Sequence, residues 1–178
     1  MQKIFRLKSM SYDFTNQSYQ HFCITNAIMI RVIILEMNKL TIDFQIISKK
    51  VFIPSQVLFK KWVAIALPNM PAKLTIRIVN RRESQSLNHK YRHKNHPTNI
   101  LSFPDGEDNY LGDLVMCAPI VTKEARIHQK NALHHWAHLT IHGVLHLLGY
   151  DHHTQTSARK MESLEIKLLK KLNISNPY

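Results

Sequence analysis

The sequence predicts an α+β fold, a single compact domain in which a small mixed sheet packs against several helices. The chain has 178 residues, 44% of them hydrophobic, which is enough for the core of one domain. Stretches with the two-residue period of strands alternate with stretches of helical period, but without a strict βαβ repeat. Histidines also cluster where the longest predicted helix meets a glycine. These three observations favour a few strands and several helices around one site.

Four strands are predicted. The first lies in "MNKLTIDFQII", which opens at Met37, and the second is "KLTIRIVN" at 73–80. The strict alternation of the second is typical of a strand with one buried face. The third and fourth are "TNILSF" at 98–103 and "LGDLVMC" at 111–117, separated by the turn-rich "PDGEDNY".

Helical spacing and boundary signals predict five helices, at about 54–67, 81–92, 119–128, 131–148 and 156–172. In the first of them, apolar residues at helical spacing predict one buried face, made of Val57, Leu58, Trp62, Ile65 and Ala66.

Residues 1–36 differ from the rest of the chain. They include the polar "KSMSYDFTNQSYQHF", which has neither period. We interpret them as an N-terminal extension that is poorly ordered or follows from a misassigned start, so that the functional domain covers 37–178. A basic targeting peptide is the alternative, although few basic residues occur there. The apolar run "AIMIRVIIL" is shorter than the ~20 residues of a membrane span and contains Arg31.

A chain shortened to begin at Met37 is expected to fold and to keep its activity. The sequence changes in character near Met37, so removal of the preceding segment should leave the far-ultraviolet circular dichroism spectrum of the domain intact. Loss of that spectrum on deletion of 1–36 would show that the extension belongs to the core.

Charge and cysteine content narrow the class of partner and compartment. The chain carries 24 Lys and Arg against 12 Asp and Glu, a formal charge of +12, which favours an anionic partner, either nucleic acid or an anionic membrane surface. A basic soluble surface is the alternative. The two cysteines, Cys23 and Cys117, are far apart in sequence and form no motif, which fits a reducing, cytoplasmic compartment.

The string "HGVLHLLGYDHH" predicts a metal site. His142 and His146 are one helical turn apart, so their imidazoles project from the same face about 40° apart. Gly149 stops the helix, and the chain turns back to present His152 as a third ligand. Three neutral imidazoles suit zinc and leave a coordination position open, as in catalytic zinc sites. His134, His135, His138 and His153 are assigned to supporting or surface positions.

The spacing H-x-x-x-H-x-x-G-x-x-H is that of metzincin proteases with one difference. Gly143 stands where those proteases carry the glutamate that acts as general base. The sequence therefore has the three histidine ligands of those proteases but lacks their glutamate base. Asp151 either orients a ligand imidazole or caps the next helix.

The residues resemble the YbeY family of bacterial rRNA-maturation factors. "HGVLHLLGYDH" resembles the metal signature of the family, and "SLNHKYRHKNHPTNILSFP" at 86–104 resembles its second block. "LGDLVMC" and "HHWAHLTIHG" follow in family order. The resemblance runs from about Met37 to residue 178, and the acidic "PDGED" is a local departure.

The resemblance implies a zincin-like fold that holds one zinc per chain on His142, His146 and His152. It implies a single-strand-specific endoribonuclease that acts in 16S rRNA 3′-end maturation and ribosome quality control. The implied partners are single-stranded RNA and the small ribosomal subunit, with no membrane. The conserved basic residue of the second block falls on Arg92, which is expected to stabilise charge on an RNA phosphate.

The surrounding stretch, 81–96, is strongly basic and is interpreted as a rim for RNA, with a solvated loop as the alternative. Lys94 belongs to this rim, and bases of a single strand could stack on Tyr91. Two other functions stay open: a zinc peptidase, and a non-enzymatic ribosome assembly factor with a structural zinc.

Overall fold

The computed structural model describes residues 40–48, 51–67, 71–107 and 109–178. Those ranges contain four strands, β1 (Leu40–Ile46), β2 (Ala72–Val79), β3 (Ile100–Pro104) and β4 (Tyr110–Cys117). They also contain five helices, α1 (Gln56–Ala66), α2 (Arg81–Arg92), α3 (Ala118–Ile127), α4 (Ala132–Leu147) and α5 (Gln155–Lys170). The α+β prediction is confirmed. The predicted extension, 1–36, lies outside the described residues.

The four strands form one mixed sheet in the order β1-β2-β4-β3. β1 pairs with β2 and β2 pairs with β4 in parallel, whereas β3 is antiparallel to β4 and forms an edge. The short 105–109 connection between β3 and β4 explains their antiparallel pairing, because parallel strands need a crossover.

The two faces of the sheet are covered differently. Along β2, Leu74, Ile76 and Ile78 point into the main core and are almost fully buried, as the alternation predicts. That core fills the space between the sheet and helices α1, α4 and α5. On the opposite face, a smaller apolar cluster lies under α2 and contains Val79, Leu101, Val115 and Cys117.

The prediction that Val57 belongs to the buried face of α1 is wrong. Its side chain is 67% exposed, while Phe59, Trp62 and Val63 are buried. Phe59 packs edge-on against Trp62 and Trp136, so this aromatic cluster determines which face of α1 turns inward. Val57 lies two residues before Phe59, about 200° around the helix, and therefore faces solvent.

The helices are of ordinary length, the two longest being α4 and α5 with 16 residues each. Among the residues that the structure describes, no helix combines the length and hydropathy needed to cross a bilayer.

The end of α4 is built as its sequence predicts. Gly149 has φ of +85° and donates its N–H to the carbonyl of His146 (3.0 Å), while Tyr150 donates to Leu145 (3.0 Å). This pair of bonds is a Schellman motif, which satisfies the last carbonyls of the helix and turns the chain back sharply. The residues that follow Tyr150 are thereby returned toward the last turn of α4.

Candidate metal centre

Three imidazoles converge at the end of α4. His142 and His146 come from successive turns of the helix, and their Nε2 atoms are 3.1 Å apart. His152 comes from the returning segment, and its ring centroid lies 5.0 Å from that of His146 and 5.7 Å from that of His142. One ring nitrogen from each residue falls within 4.8 Å of the other two. The structure thus brings together the three residues selected from the sequence.

A buried carboxylate that the sequence analysis missed supports the first ligand. Glu165 on α5 has no solvent exposure, and its Oε1 lies 2.9 Å from Nδ1 of His142. An ionised carboxylate only accepts, so Nδ1 of His142 carries the proton and donates it. The other ring nitrogen, Nε2, is then left with its lone pair directed at the convergence point. This is the carboxylate–histidine arrangement that orients metal ligands.

Glu165 is held in turn by two further donors. Its Oε2 accepts from Nε2 of His138 (2.7 Å) and from the hydroxyl of Tyr178 (2.6 Å). Burial would raise the pKa of this carboxyl, but the hydrogen bonds from His138 and His142 and the charge of His142 outweigh it and lower the pKa to about 2. The carboxylate is therefore ionised at neutral pH, despite being in the core.

The sequence carries a signal for Glu165. The apolar face of α5 consists of Met161, Leu164, Leu168 and Leu169, and Glu165 lies in the middle of it at helical spacing. A lone acid on an otherwise apolar face is almost never buried without a partner. Its partner cannot be chosen from spacing, because α4 and α5 meet only through tertiary packing.

Glu165→Gln is expected to weaken zinc binding by about 10–100-fold, as measured by competition with a chromophoric chelator. The neutral amide loses the charge that supports His142 as a ligand. It also presents an N–H to one of the three donors. Glu162→Gln, on an exposed position of the same helix, is the matched control. Equal zinc affinities of the two variants would contradict the role assigned to Glu165.

The pKa of His146 is lowered to about 4. Burial is the main cause, and the positive charges of His142, His152 and Arg92 add to it. His146 therefore stays neutral at physiological pH, which is the protonation state that a metal ligand requires.

Stability of the metal-free protein is expected to fall with acidification in two steps. The pKa of His146 is about 6.5 in the unfolded chain and about 4 in the folded protein. Its contribution to the free energy of unfolding is therefore complete above pH 6.5 and is lost as the pH falls to 4. Glu165 contributes fully above 4.5, and its contribution is lost as pH falls towards 2. Urea unfolding with a chelator present measures both steps. His146→Gln should flatten the first step, and an unchanged slope between 6.5 and 4 would refute this assignment.

The basic stretch 81–96 lies on α2 and the turn after it. The helix ends at His93, which has φ of +57°, and Tyr91, Arg92 and Lys94 are all exposed beside that end. The single acid of the stretch, Glu83, is engaged by Arg77 (2.7 Å). The cations of this rim are thus free of local acidic partners among the described residues.

Asp151 lies beside the centre without a hydrogen bond to the three histidines in the described structure. Its Oδ1 accepts from the backbone N–H of His153 (3.1 Å), which stabilises the returning turn. The N-cap of α5 is Thr154, which forms a capping box with Ser157. Asp151 therefore stabilises the segment that carries His152 and lies just before the N-cap of α5.

The remaining histidines of α4 occupy the supporting positions expected of them. His135 is buried and pairs with Glu124 (2.9 Å), His138 binds Glu165, and His134 is exposed.

Gly143 lies between two ligands and faces the sheet. A Cβ atom at this position would lie 2.6 Å from Cδ1 of Ile100 and 2.8 Å from Cδ2 of Leu114. Side chains of β3 and β4 therefore occupy the space in which any residue other than glycine would begin. The position that carries the general base in metzincins cannot carry a carboxylate here without repacking.

Comparison with known proteins agrees with this geometry. The family model for Endoribonuclease YbeY matches residues 44–173. The chain belongs to the YbeY family. It is 49% identical over 148 residues to Endoribonuclease YbeY of Colwellia psychrerythraea, covering 77% of this chain and 96% of that protein. It is 47% identical over 135 residues to the Nitrosomonas eutropha enzyme, covering 75% and 95%. It is 46% identical over 149 residues to Endoribonuclease YbeY of Buchnera aphidicola, covering 79% of this chain and 97% of that protein.

The residues present fit the metal that this YbeY-family chain is expected to hold. The donor set consists of three imidazoles, one of them oriented by a buried carboxylate and another kept neutral at physiological pH. His152 is exposed, so the centre is open to solvent on its side. Such a set can hold a divalent ion and leave a coordination position accessible.

Proposed function

We propose that the chain is a single-strand-specific, metal-dependent endoribonuclease that acts in the cytoplasm on 16S rRNA 3′-end maturation and in ribosome quality control. One zinc per chain would be held by His142, His146 and His152. Single-stranded RNA and the small ribosomal subunit are the proposed partners. The endoribonuclease activity is supported by the site geometry and by the names of the relatives. The RNA substrate, the cellular role and the partners are taken from the family resemblance.

The observation that carries the proposal is the convergence of the three imidazoles, to which the fold adds the charge of Arg92. Its positive charge acts on His146, although it comes from a different element of the fold. Guanidinium cannot ligate a metal, because it stays protonated, but its fork of donors matches a phosphate. A metal-binding triad with a neighbouring arginine is suited to a phosphodiester.

Zinc in a three-histidine site supplies Lewis-acid polarisation of a phosphoryl oxygen and activation of a nucleophile near neutral pH. Arg92 binds the non-bridging oxygens and offsets the charge that develops on them. Glu165 keeps His142 in the ligating tautomer. Tyr91 and Lys94 extend the exposed rim along which the RNA strand would lie, and Asp151 holds the turn of His152.

The structure weakens the two alternative functions in different ways. A peptidase of the metzincin type needs a carboxylate at position 143, where Ile100 and Leu114 already fill the space. A structural zinc has four protein ligands, whereas three histidines meet here and one of them is exposed.

The proposal is tested by incubating zinc-loaded and chelated protein with single-stranded 16S rRNA fragments and with duplexes of the same sequence. Cleavage of the single strand by the zinc-loaded protein alone is the expected result. The termini identify the nucleophile, because attack by the RNA 2′-OH leaves a cyclic phosphate and attack by water does not. Cleavage of a fluorogenic peptide with intact RNA would favour the peptidase instead.

A further inference from the structure

The face of the sheet turned away from α4 is only partly covered by α2, and the uncovered part is a groove of about 380 Å³. Its floor is formed by side chains of β2 and β4, among them Thr75, Arg77 and Asp113. Tyr91 and Phe103 form one wall. We propose that this groove binds a guanine base of the RNA strand, a subsite that rests on the proposed function and extends it.

The wall offers a surface on which a base can stack. The rings of Tyr91 and Phe103 pack edge to face with centroids 4.9 Å apart, which fixes the orientation of Tyr91. Tyr91 is nevertheless 53% exposed. A rigid and exposed ring beside a cavity is suited to stacking on a nucleobase.

The floor offers hydrogen bonds to the edge of a base. Oδ1 of Asp113 accepts from the hydroxyl of Tyr110, which also contacts Thr75. No described residue donates to Oδ2 of Asp113. Arg77 donates Nε to Glu83 and Nη1 to Gln45 (2.7 Å each), so its guanidinium is fixed, while no described residue accepts from Nη2.

These free groups match guanine. The pairing Thr75↔Asp113 and Arg77↔Val115 places Arg77 and Asp113 two residues apart on the same face. Guanine presents two neighbouring N–H donors, N1–H and N2–H, which a carboxylate can accept, and beside them the O6 acceptor for an arginine donor. Adenine and cytosine each place one amino donor beside a ring acceptor, so they match a carboxylate less well.

The groove and the metal centre lie on opposite sides of the edge of the sheet. Tyr91 directly precedes Arg92, whose charge acts on His146. Edge strand β3 separates the two sites: Ser102 points toward Gly143 on α4, and Phe103 points into the groove. A single strand that passes around this edge can leave a phosphate at Arg92 and a base in the groove. A base inside a duplex could not enter.

The test is binding of labelled oligouridylates that contain one guanosine, inosine or adenosine, measured by fluorescence anisotropy with a chelator present. Wild type should prefer guanosine over adenosine by about tenfold, with inosine between them. Asp113→Asn should abolish the preference. Tyr91→Ala should weaken binding of all three strands by about tenfold, and Tyr91→Phe should not. Phe52→Ala removes a comparably exposed ring (51%) outside the groove and should change nothing.

A wild type without base preference, or a preference that survives in Asp113→Asn, would overturn the subsite. Tyr91 lies at the surface, so its variants test the wall even if Asp113→Asn fails to fold. Cleavage by the zinc-loaded protein is measured in parallel. Cleavage without base preference refutes the subsite alone, whereas guanosine-dependent binding without cleavage refutes the proposed nuclease alone. If Asp113→Asn loses only binding to purified small ribosomal subunits, the groove is a protein contact and the base proposal is wrong.

Discussion

His146→Ala is expected to lose its zinc and its RNA cleavage together. His146 stands at the middle of the centre, 3.1 Å from His142 between Nε2 atoms and closer to His152 than His142 is. Its removal leaves two imidazoles, too few for a stable zinc site. Loss of the several kcal/mol that a metal ion contributes to charge stabilisation corresponds to about 10³-fold or more in rate. Elemental analysis and a cleavage assay measure the two losses.

His134→Ala is the matched control, because His134 is on the same helix and is exposed. It should keep both zinc and activity. The same loss is expected for alanine at His142 or His152. A full complement of zinc in His146→Ala would show that the ion is held elsewhere. The side chains of His138, His142 and Glu165 also lie close enough together to hold a metal ion, and they would then be the candidate site.

The ligand triad could be predicted from the sequence because local rules determine it. The spacing of His142 and His146 places both on one helical face, and Gly149 imposes the turn that returns His152. Each of these steps depends on residues close together in the chain. The observed Schellman bonds and the convergence of the three rings follow from them.

Glu165 could not be assigned in the same way. It is 23 residues from His142, and their contact depends on how α5 packs against α4. The prediction that Val57 is buried was wrong for a related reason, because the aromatic packing of Phe59 determines which side of α1 is buried. Periodicity identifies that a face is apolar, but the tertiary partner determines where that face is centred.

The surroundings of Arg92 depend both on local sequence and on tertiary packing. Its place on a basic helix end is readable from the sequence, while the effect of its charge on His146 depends on where the fold places α2 and α4. The resemblance to the YbeY family indicated this residue, and its role stays a prediction. Arg92 is therefore the residue on which the nuclease proposal can be tested separately from the metal.

Arg92→Ala is expected to lower RNA cleavage by about 10²–10³-fold, while fold and zinc content stay unchanged. The side chain is exposed and makes no hydrogen bond to a described residue, so its loss removes no structural contact there. Arg92→Lys should restore part of the rate, because it keeps the charge but loses the two-pronged donor geometry. RNA binding should weaken less than cleavage, since Lys94 and other cations of the rim remain.

Three measurements separate the effects of the substitution. Single-turnover assays give the cleavage rate, fluorescence anisotropy with chelated protein gives RNA binding, and elemental analysis gives the zinc content. The matched control is Arg82→Ala, which removes an exposed arginine from the opposite end of α2. Arg82→Ala should reduce cleavage only to the extent that it reduces binding, because a distant cation attracts the strand without touching the reacting phosphate. Equal effects of the two substitutions would mean that Arg92 contributes only to the overall positive charge. The metal centre would then have to stabilise the phosphate without this arginine.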